Sequence, residues 1–142
     1  MLDDKFPEHI GWLLWQASDR WHRDFVARMQ AAGHGWFTEA RSTLIGSIAP
    51  KGTRQVLLVE RLAISKQAVQ QLIDGLEADG ILERRADPGD KRGRIVELTA
   101  AGKAAMRDAN RIKTEIEAEY RSRIGTDAFA EFSSLLRKLR DG

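Results

Sequence analysis

Between residues 7 and 33 the apolar side chains Ile10, Leu14, Ala17, Trp21 and Phe25 recur at spacings of three and four, the period of one face of a long helix. Gly33-His34-Gly35 ends it. Thr38 is positioned to cap a second helix carrying Ala40, Leu44, Ile45 and Ile48, stopped by Pro50 and the Lys51-Gly52 turn. A third, short helix is expected over 54–62. Ser65 caps the next, in which Val69, Leu72, Ile73 and Leu76 fall at i, i+3, i+4 and i+7 before Gly80 stops it. Residues 81–85 and 95–98 then alternate as short strands around the turn chemistry of Asp87-Pro88-Gly89-Asp90, which predicts a hairpin. Thr99 caps a further helix with Ala105, Ala109, Ile112, Ile116 and Tyr120 on one face, broken at Gly125. Thr126 starts the last helix, whose stripe of Phe129, Phe132, Leu135, Leu136 and Leu139 is too apolar to leave in water. The expectation is a mainly α chain with one small β-hairpin.

A length of 142 residues with 42% hydrophobic content suits one domain with a real core. The charged residues are spread along the chain, so disorder is not expected. The absence of cysteine excludes disulfides, thiolate metal sites and thiol redox switching. It also fits a reducing cytoplasm. The start Met1-Leu2-Asp3-Asp4 is acidic where a signal peptide would be basic, and no apolar run reaches membrane-span length, so a soluble cytoplasmic protein is expected. His9, His22 and His34 lie twelve or more residues apart without helical zinc spacing, and His22 near Asp19 or Glu8 reads as surface chemistry. With no nucleophile motif, phosphate loop or paired acids either, the reading is a protein that is not an enzyme and needs no metal or cofactor.

Net charge is only +2, but its distribution is uneven. Residues 1–50 carry five basic and six acidic groups, whereas the short segment 84–94 carries Arg84, Arg85, Lys91, Arg92 and Arg94 against Asp87 and Asp90. That basic hairpin follows directly on two helices separated by a short turn. A helix fits the major groove of DNA, and a basic hairpin beside it can reach phosphates or the minor groove. With Val69, Leu72, Ile73 and Leu76 turned inward, the helix after Ser65 presents Gln67, Gln70, Gln71 and Asp74, with Lys66 to one side. Glutamine can donate to and accept from an adenine edge at once, and lysine can take a phosphate or guanine. Glutamines are common on any solvated helix face; here three of them in the first two turns, beside a basic hairpin, point to DNA.

These residues resemble the MarR family of bacterial regulators. Residues 58–69, ending Ala63-Ile64-Ser65-Lys66-Gln67-Ala68-Val69, are similar to its helix-turn-helix, and 76–84 to its following segment. Closer still is Asp87-Pro88-Gly89-Asp90-Lys91-Arg92-Gly93-Arg94, followed by Leu98-Thr99 and Gly102. The resemblance implies a winged helix-turn-helix core flanked by N- and C-terminal dimerisation helices: one domain over 1–142, with 1–50 and 99–142 the helical dimerisation parts and 51–98 the DNA-binding part. It further implies that Arg92 enters the minor groove, where a narrow groove concentrates negative potential, and that Asp90 orients the basic side chains around it. Val59, Ala63 and Gly75 depart from the family, which commonly has alanine, a turn glycine and a basic residue there.

The expected function is therefore a sequence-specific transcriptional regulator, a repressor acting as a homodimer on an inverted-repeat operator in double-stranded DNA. Its DNA contacts are expected from Ser65, Lys66, Gln67, Gln70, Gln71, Asp90, Lys91, Arg92 and Arg94. Family members often respond to small aromatic or phenolic effectors. Aromatics at helical spacing usually pack as core; the other reading of the tryptophan-rich N-terminal third makes Trp12, Trp15, Gln16 and Trp36 the walls of an effector pocket. The rival to the whole scheme is a winged-helix module whose basic hairpin contacts an acidic protein.

Overall fold

A computed structural model describes residues 7–142; the acidic start of the chain lies outside them. The elements run α1 (Ile10–Ala31), α2 (Glu39–Gly46), β1 (Thr53–Arg54), α3 (Gln55–Leu62), α4 (Lys66–Ala78), β2 (Leu82–Asp87), β3 (Asp90–Leu98), α5 (Ala100–Ile124) and α6 (Thr126–Asp141). The three caps expected from the sequence form as hydrogen bonds: Thr38 accepts from the Arg41 amide, Ser65 from Ala68 and Thr99 from Gly102. Each satisfies an amide that the first helical turn would otherwise leave without a partner.

The strands differ from the expectation in two ways. The hairpin is longer than 81–85 and 95–98, because pairing continues to Asp87↔Asp90 through polar and charged residues that carry no apolar alternation. In addition, β1 joins β3 through Thr53↔Val96 and Arg54↔Ile95, giving the antiparallel order β1-β3-β2. Two residues are too few to show a period of two. The helix expected to run to Pro50 stops at Gly46, so Ile48 packs from the loop instead.

Two apolar clusters hold the chain together. Leu44, Ile45, Leu58, Val69, Ile73 and Leu76 form one with Ile81, just before β2, and Leu82 and Val96 of the sheet. Phe25 and Met29 of α1, Phe37, and Ala109, Ile112 and Ile116 of α5 form the other. Trp36 and Met106 pack against both. At this junction His34 Nε2 lies 2.8 Å from Asp108 on α5, and that hydrogen bond holds the Asp108 carboxyl below its ordinary pKa. Close by, Thr99 donates to the Gly80 carbonyl at 2.6 Å, and a Cβ at Gly102 would drive into the carbonyl oxygen of Ile81. The Thr99 and Gly102 of the wing motif thus let α5 start directly on the corner between α4 and β2.

The stripe read along α1 is buried only in its C-terminal half. Phe25 is 1% exposed and Trp21 half-buried, whereas Ile10 is 68% and Leu14 39% exposed, as are Trp12 (54%) and Trp15 (57%) beside the stripe, because α5 covers only the later turns. Every residue of α6 lies at least partly open, with Phe132, Leu135, Leu136 and Leu139 all exposed. Both ends of the chain therefore carry apolar faces with no partner among the described residues.

Ala63 is the C-cap of α3 with φ 51° and ψ 31°. A side chain in this left-handed region costs about 1–2 kcal/mol, against which glycine loses about 0.4–1 kcal/mol through the freer unfolded chain. Ala63→Gly is expected to raise unfolding free energy by about 0.5–1 kcal/mol, read as a higher urea midpoint with unchanged slope; a lower midpoint would contradict this balance.

Candidate nucleic-acid interface

Helix α4 is pinned by Val69, Ile73 and Leu76, each 0% exposed. Because those positions fix its rotation, Lys66, Gln67, Gln70, Gln71 and Asp74 all face outward. The hairpin rises beside it, and between the two lies a cavity of about 610 Å³. Lys66 and Gln70 of α4, Gln55 and Val56 of α3, Arg84 of β2, and Asp90, Arg92 and Arg94 of β3 are among the residues lining it. Five of the nine residues read from the sequence as DNA contacts therefore meet on one concave surface. Ser65, Gln67, Gln71 and Lys91 are exposed but stand outside that lining. The Ser65 hydroxyl is engaged by the Ala68 amide at 3.0 Å.

The five basic side chains of segment 84–94 divide into two groups. Arg84 pairs with Asp74 at 2.7 Å and Glu77 at 3.0 Å, and Arg85 with Glu97 at 3.4 Å. Lys91, Arg92 and Arg94, like Lys66 on α4, form no ion pair with any described residue. The cations nearest the tip are thus left for a partner, and those at the base hold the wing to the body.

Two carboxylates shape the tip differently from the expectation that Asp90 orients its basic side chains. Asp90 Oδ1 accepts from the Arg92 backbone amide at 2.9 Å, so it acts on the chain path. The carboxylate that holds a guanidinium is Asp87, which the sequence reading treated as turn chemistry. Its side chain is 5% exposed, takes Arg54 Nε at 2.9 Å and accepts the Gly89 amide at 2.9 Å. Gly93 makes room for it, since a Cβ there would sit 3.2 Å from Asp87 Cβ. An aspartate inside a basic turn gives no sequence signal that distinguishes a buried anchor from a surface acid; its partner Arg54 lies on β1, the strand the sequence did not disclose.

A closed ring of hydrogen bonds crosses the floor of the surface. Arg84 Nε donates to Gln55 Oε1 at 3.3 Å, Gln55 Nε2 to Gln70 Oε1 at 2.6 Å, and Gln70 Nε2 to Asp74 Oδ1 at 3.2 Å. Arg84 Nη2 closes it on the same Asp74 oxygen at 2.7 Å. At the far end of α4, Arg41 Nη1 bonds the Trp36 carbonyl at 2.9 Å and Asp79 at 2.8 Å, its guanidinium lying where a Cβ at Gly75 would come within 2.5 Å of Nη2.

The tryptophans do not gather into one wall within a single chain. Trp12 and Trp15 stack at 5.1 Å on the open end of α1. Trp36 instead packs edge-on against Phe37, which meets Phe25, ten residues or about 15 Å along α1 from Trp15. Among the described residues no helix is long and apolar enough to cross a membrane, and no group of three or more His, Asp or Glu side chains could hold a metal ion.

A helix-turn-helix followed by a hairpin with unpaired cations defines a winged helix-turn-helix DNA-binding protein. The MarR family profile matches residues 41–93. The transcriptional regulator HosA of Escherichia coli O111:H- is 31% identical over 103 residues, 72% of this chain and 76% of that protein. The chain belongs to the MarR family of transcriptional regulators, which act by binding DNA and not as enzymes. The same fold is found in a mutant MarR from E. coli complexed with operator DNA, with TM-score 0.74, 24% identity and 92% of each chain covered. It recurs in PcaV from Streptomyces coelicolor in complex with its natural ligand, with TM-score 0.71, 19% identity, and 100% of this chain and 99% of that one covered.

Because Arg54 is 58% exposed, its pairing with Asp87 is screened and contributes little. The greater loss on removing Asp87 is the partner of the Gly89 amide and the packing at Gly93. Asp87→Ala is expected to lower unfolding free energy by about 1–3 kcal/mol and to speed amide exchange over residues 89–93. Unchanged exchange there would show that the tip holds its shape without the carboxylate.

Proposed function

We propose that the chain is a repressor that binds an inverted-repeat operator as a homodimer, each α4 entering a major groove with Arg92 in the flanking minor groove. The observation that carries this reading is the convergence of Lys66, Gln70, Arg92 and Arg94 on one concave surface, with the cations unpaired. Gln67 and Gln71 extend the base-reading face of α4, Lys91 the cationic tip, while Ser65 and Asp90 shape the backbone beneath it.

Dimerisation is assigned to residues 1–50 and 99–142 and DNA binding to 51–98. The exposed apolar faces of α1 and α6 support a second copy as their cover, since a stripe of that kind is unstable in water. Two-fold symmetry of the protein would then be mirrored in the operator. The protein works in the cytoplasm, and a small aromatic effector releases it from DNA, with Trp12, Trp15, Gln16 and Trp36 the candidate walls; quenching of tryptophan emission by phenolic acids would test that part.

Selection of duplexes from a random pool is expected to enrich an inverted repeat. Arg92→Ala should weaken binding at many sequences and flatten the salt dependence by about 0.9 in log–log slope, the loss of one positive charge from the interface. Gln71→Ala should instead cost about 1–3 kcal/mol at one base pair per half-site. If neither variant changed binding, or no sequence were enriched, the docking would be wrong.

Leu135→Asp places a charge on the apolar face of α6 without touching either core cluster. Sedimentation should show monomers at concentrations where the parent is a dimer, with helix content by circular dichroism retained. A dimer of undiminished stability would move the interface elsewhere.

A further inference from the structure

The ring that joins Arg84, Gln55, Gln70 and Asp74 has a direction. Arginine only donates and an ionised aspartate only accepts. Arg84 Nε must therefore meet the oxygen of Gln55, which turns the Gln55 nitrogen toward Gln70. The Gln70 oxygen must then face Gln55, leaving its nitrogen for Asp74, which Arg84 also holds. Reversing either amide would set donor against donor at Arg84 or acceptor against acceptor at Asp74. The orientation of a glutamine amide is ordinarily ambiguous; here the two charged ends settle it.

An amide nitrogen carries two hydrogens and its oxygen two lone pairs. After its bonds in the ring, Gln70 keeps the capacity to donate once more and to accept once more, and its side chain lines the cavity between α4 and the hairpin. One donor and one acceptor are the pair required to take N7 and N6 of adenine together. A free glutamine on a helix must freeze its side-chain torsions on binding, and can also turn its amide to suit another base.

We propose that Gln55 is a positioning residue for base readout: without contacting the base, it locks the amide of Gln70 in the orientation that selects adenine, with Arg84 as the anchor of the lock. This rests on the reading of α4 as the major-groove helix. Gln55 belongs to α3 and Arg84 to β2, so the base preference of α4 depends on two elements outside it. A shift of the hairpin against the helices would loosen the readout without moving α4.

The test uses the full-length protein and an operator obtained by selection, with every base pair of one half-site substituted in turn. Gln70→Ala should abolish discrimination at one position, by tenfold or more. Gln55→Met, similar in length but without the polar ends, should lower discrimination at that same position to a few-fold. Removing no charge, it should leave the salt dependence of binding to random duplex unchanged. Gln70→Ala with Gln55→Met should discriminate no worse than Gln70→Ala alone. Arg84→Lys, which keeps the charge and loses the fork of donors, should relax the same position.

Gln55→Met that preserves full discrimination while Gln70→Ala loses it would overturn the lock and leave the docking intact. Loss at a different base pair, or equal weakening on all sequences, would make Gln55 a direct contact or a structural residue. If Gln70→Ala changed no base preference, the assignment of Gln70 as a base reader would fall, and the lock with it.

Discussion

The first turn of α5 starts against the corner where α4 turns into β2, and the closeness of that approach fixes everything around it. Gly102 has no side chain to hold the two apart, and Thr99 ties the corner's carbonyls from the other side. The helix that carries Ile112 and Ile116 is thus joined, within a few residues, to the one that carries the glutamines. Trp36 and Met106 fill the space between the two apolar clusters, and His34 bonds across it to Asp108. In packed interiors displacement is transmitted, not absorbed. A change in the angle between α1 and α5 would reach α4 through this seam.

The division of charge follows from the same geometry. At the base of the hairpin, acidic side chains on α4 and β3 lie within reach of Arg84 and Arg85 and neutralise them. At the tip the two carboxylates are engaged elsewhere, Asp87 by Arg54 and the Gly89 amide and Asp90 by the Arg92 amide, and Lys91, Arg92 and Arg94 form no ion pair with any described residue. A weak net charge therefore coexists with a locally cationic tip. If the tip meets DNA as proposed, counterion release depends on those few groups and not on the sum over the chain.

The sequence disclosed what rests on long periods and local chemistry. The stripe of α4, the face of α5 and the three oxygen caps were all legible, because each follows from spacing within one element. β1 was not, being two residues long and defined only by its partner Val96 and Ile95. The true length of the hairpin was hidden by charged residues that break the alternation. Asp87 as a buried anchor, and the pairing of Arg84 with Asp74, depend on contacts between separate elements. Within α1 the pattern gave one continuous stripe, although a single chain buries only half of it. Periodicity states that a face is apolar and not what covers it.

Gly75 leaves a space on α4 that Arg41 reaches over from α2 to fill. A methyl group at 75 would improve the helix by up to about 1 kcal/mol, yet it would push the guanidinium away from Asp79 and the Trp36 carbonyl. The two positions are therefore coupled: a side chain at 75 meets the Arg41 guanidinium and fits only where Arg41 moves aside or is replaced. Change at either site alone passes through a loosened seam. The order of substitutions, and not only their identity, would then decide which sequences this seam can pass through without opening.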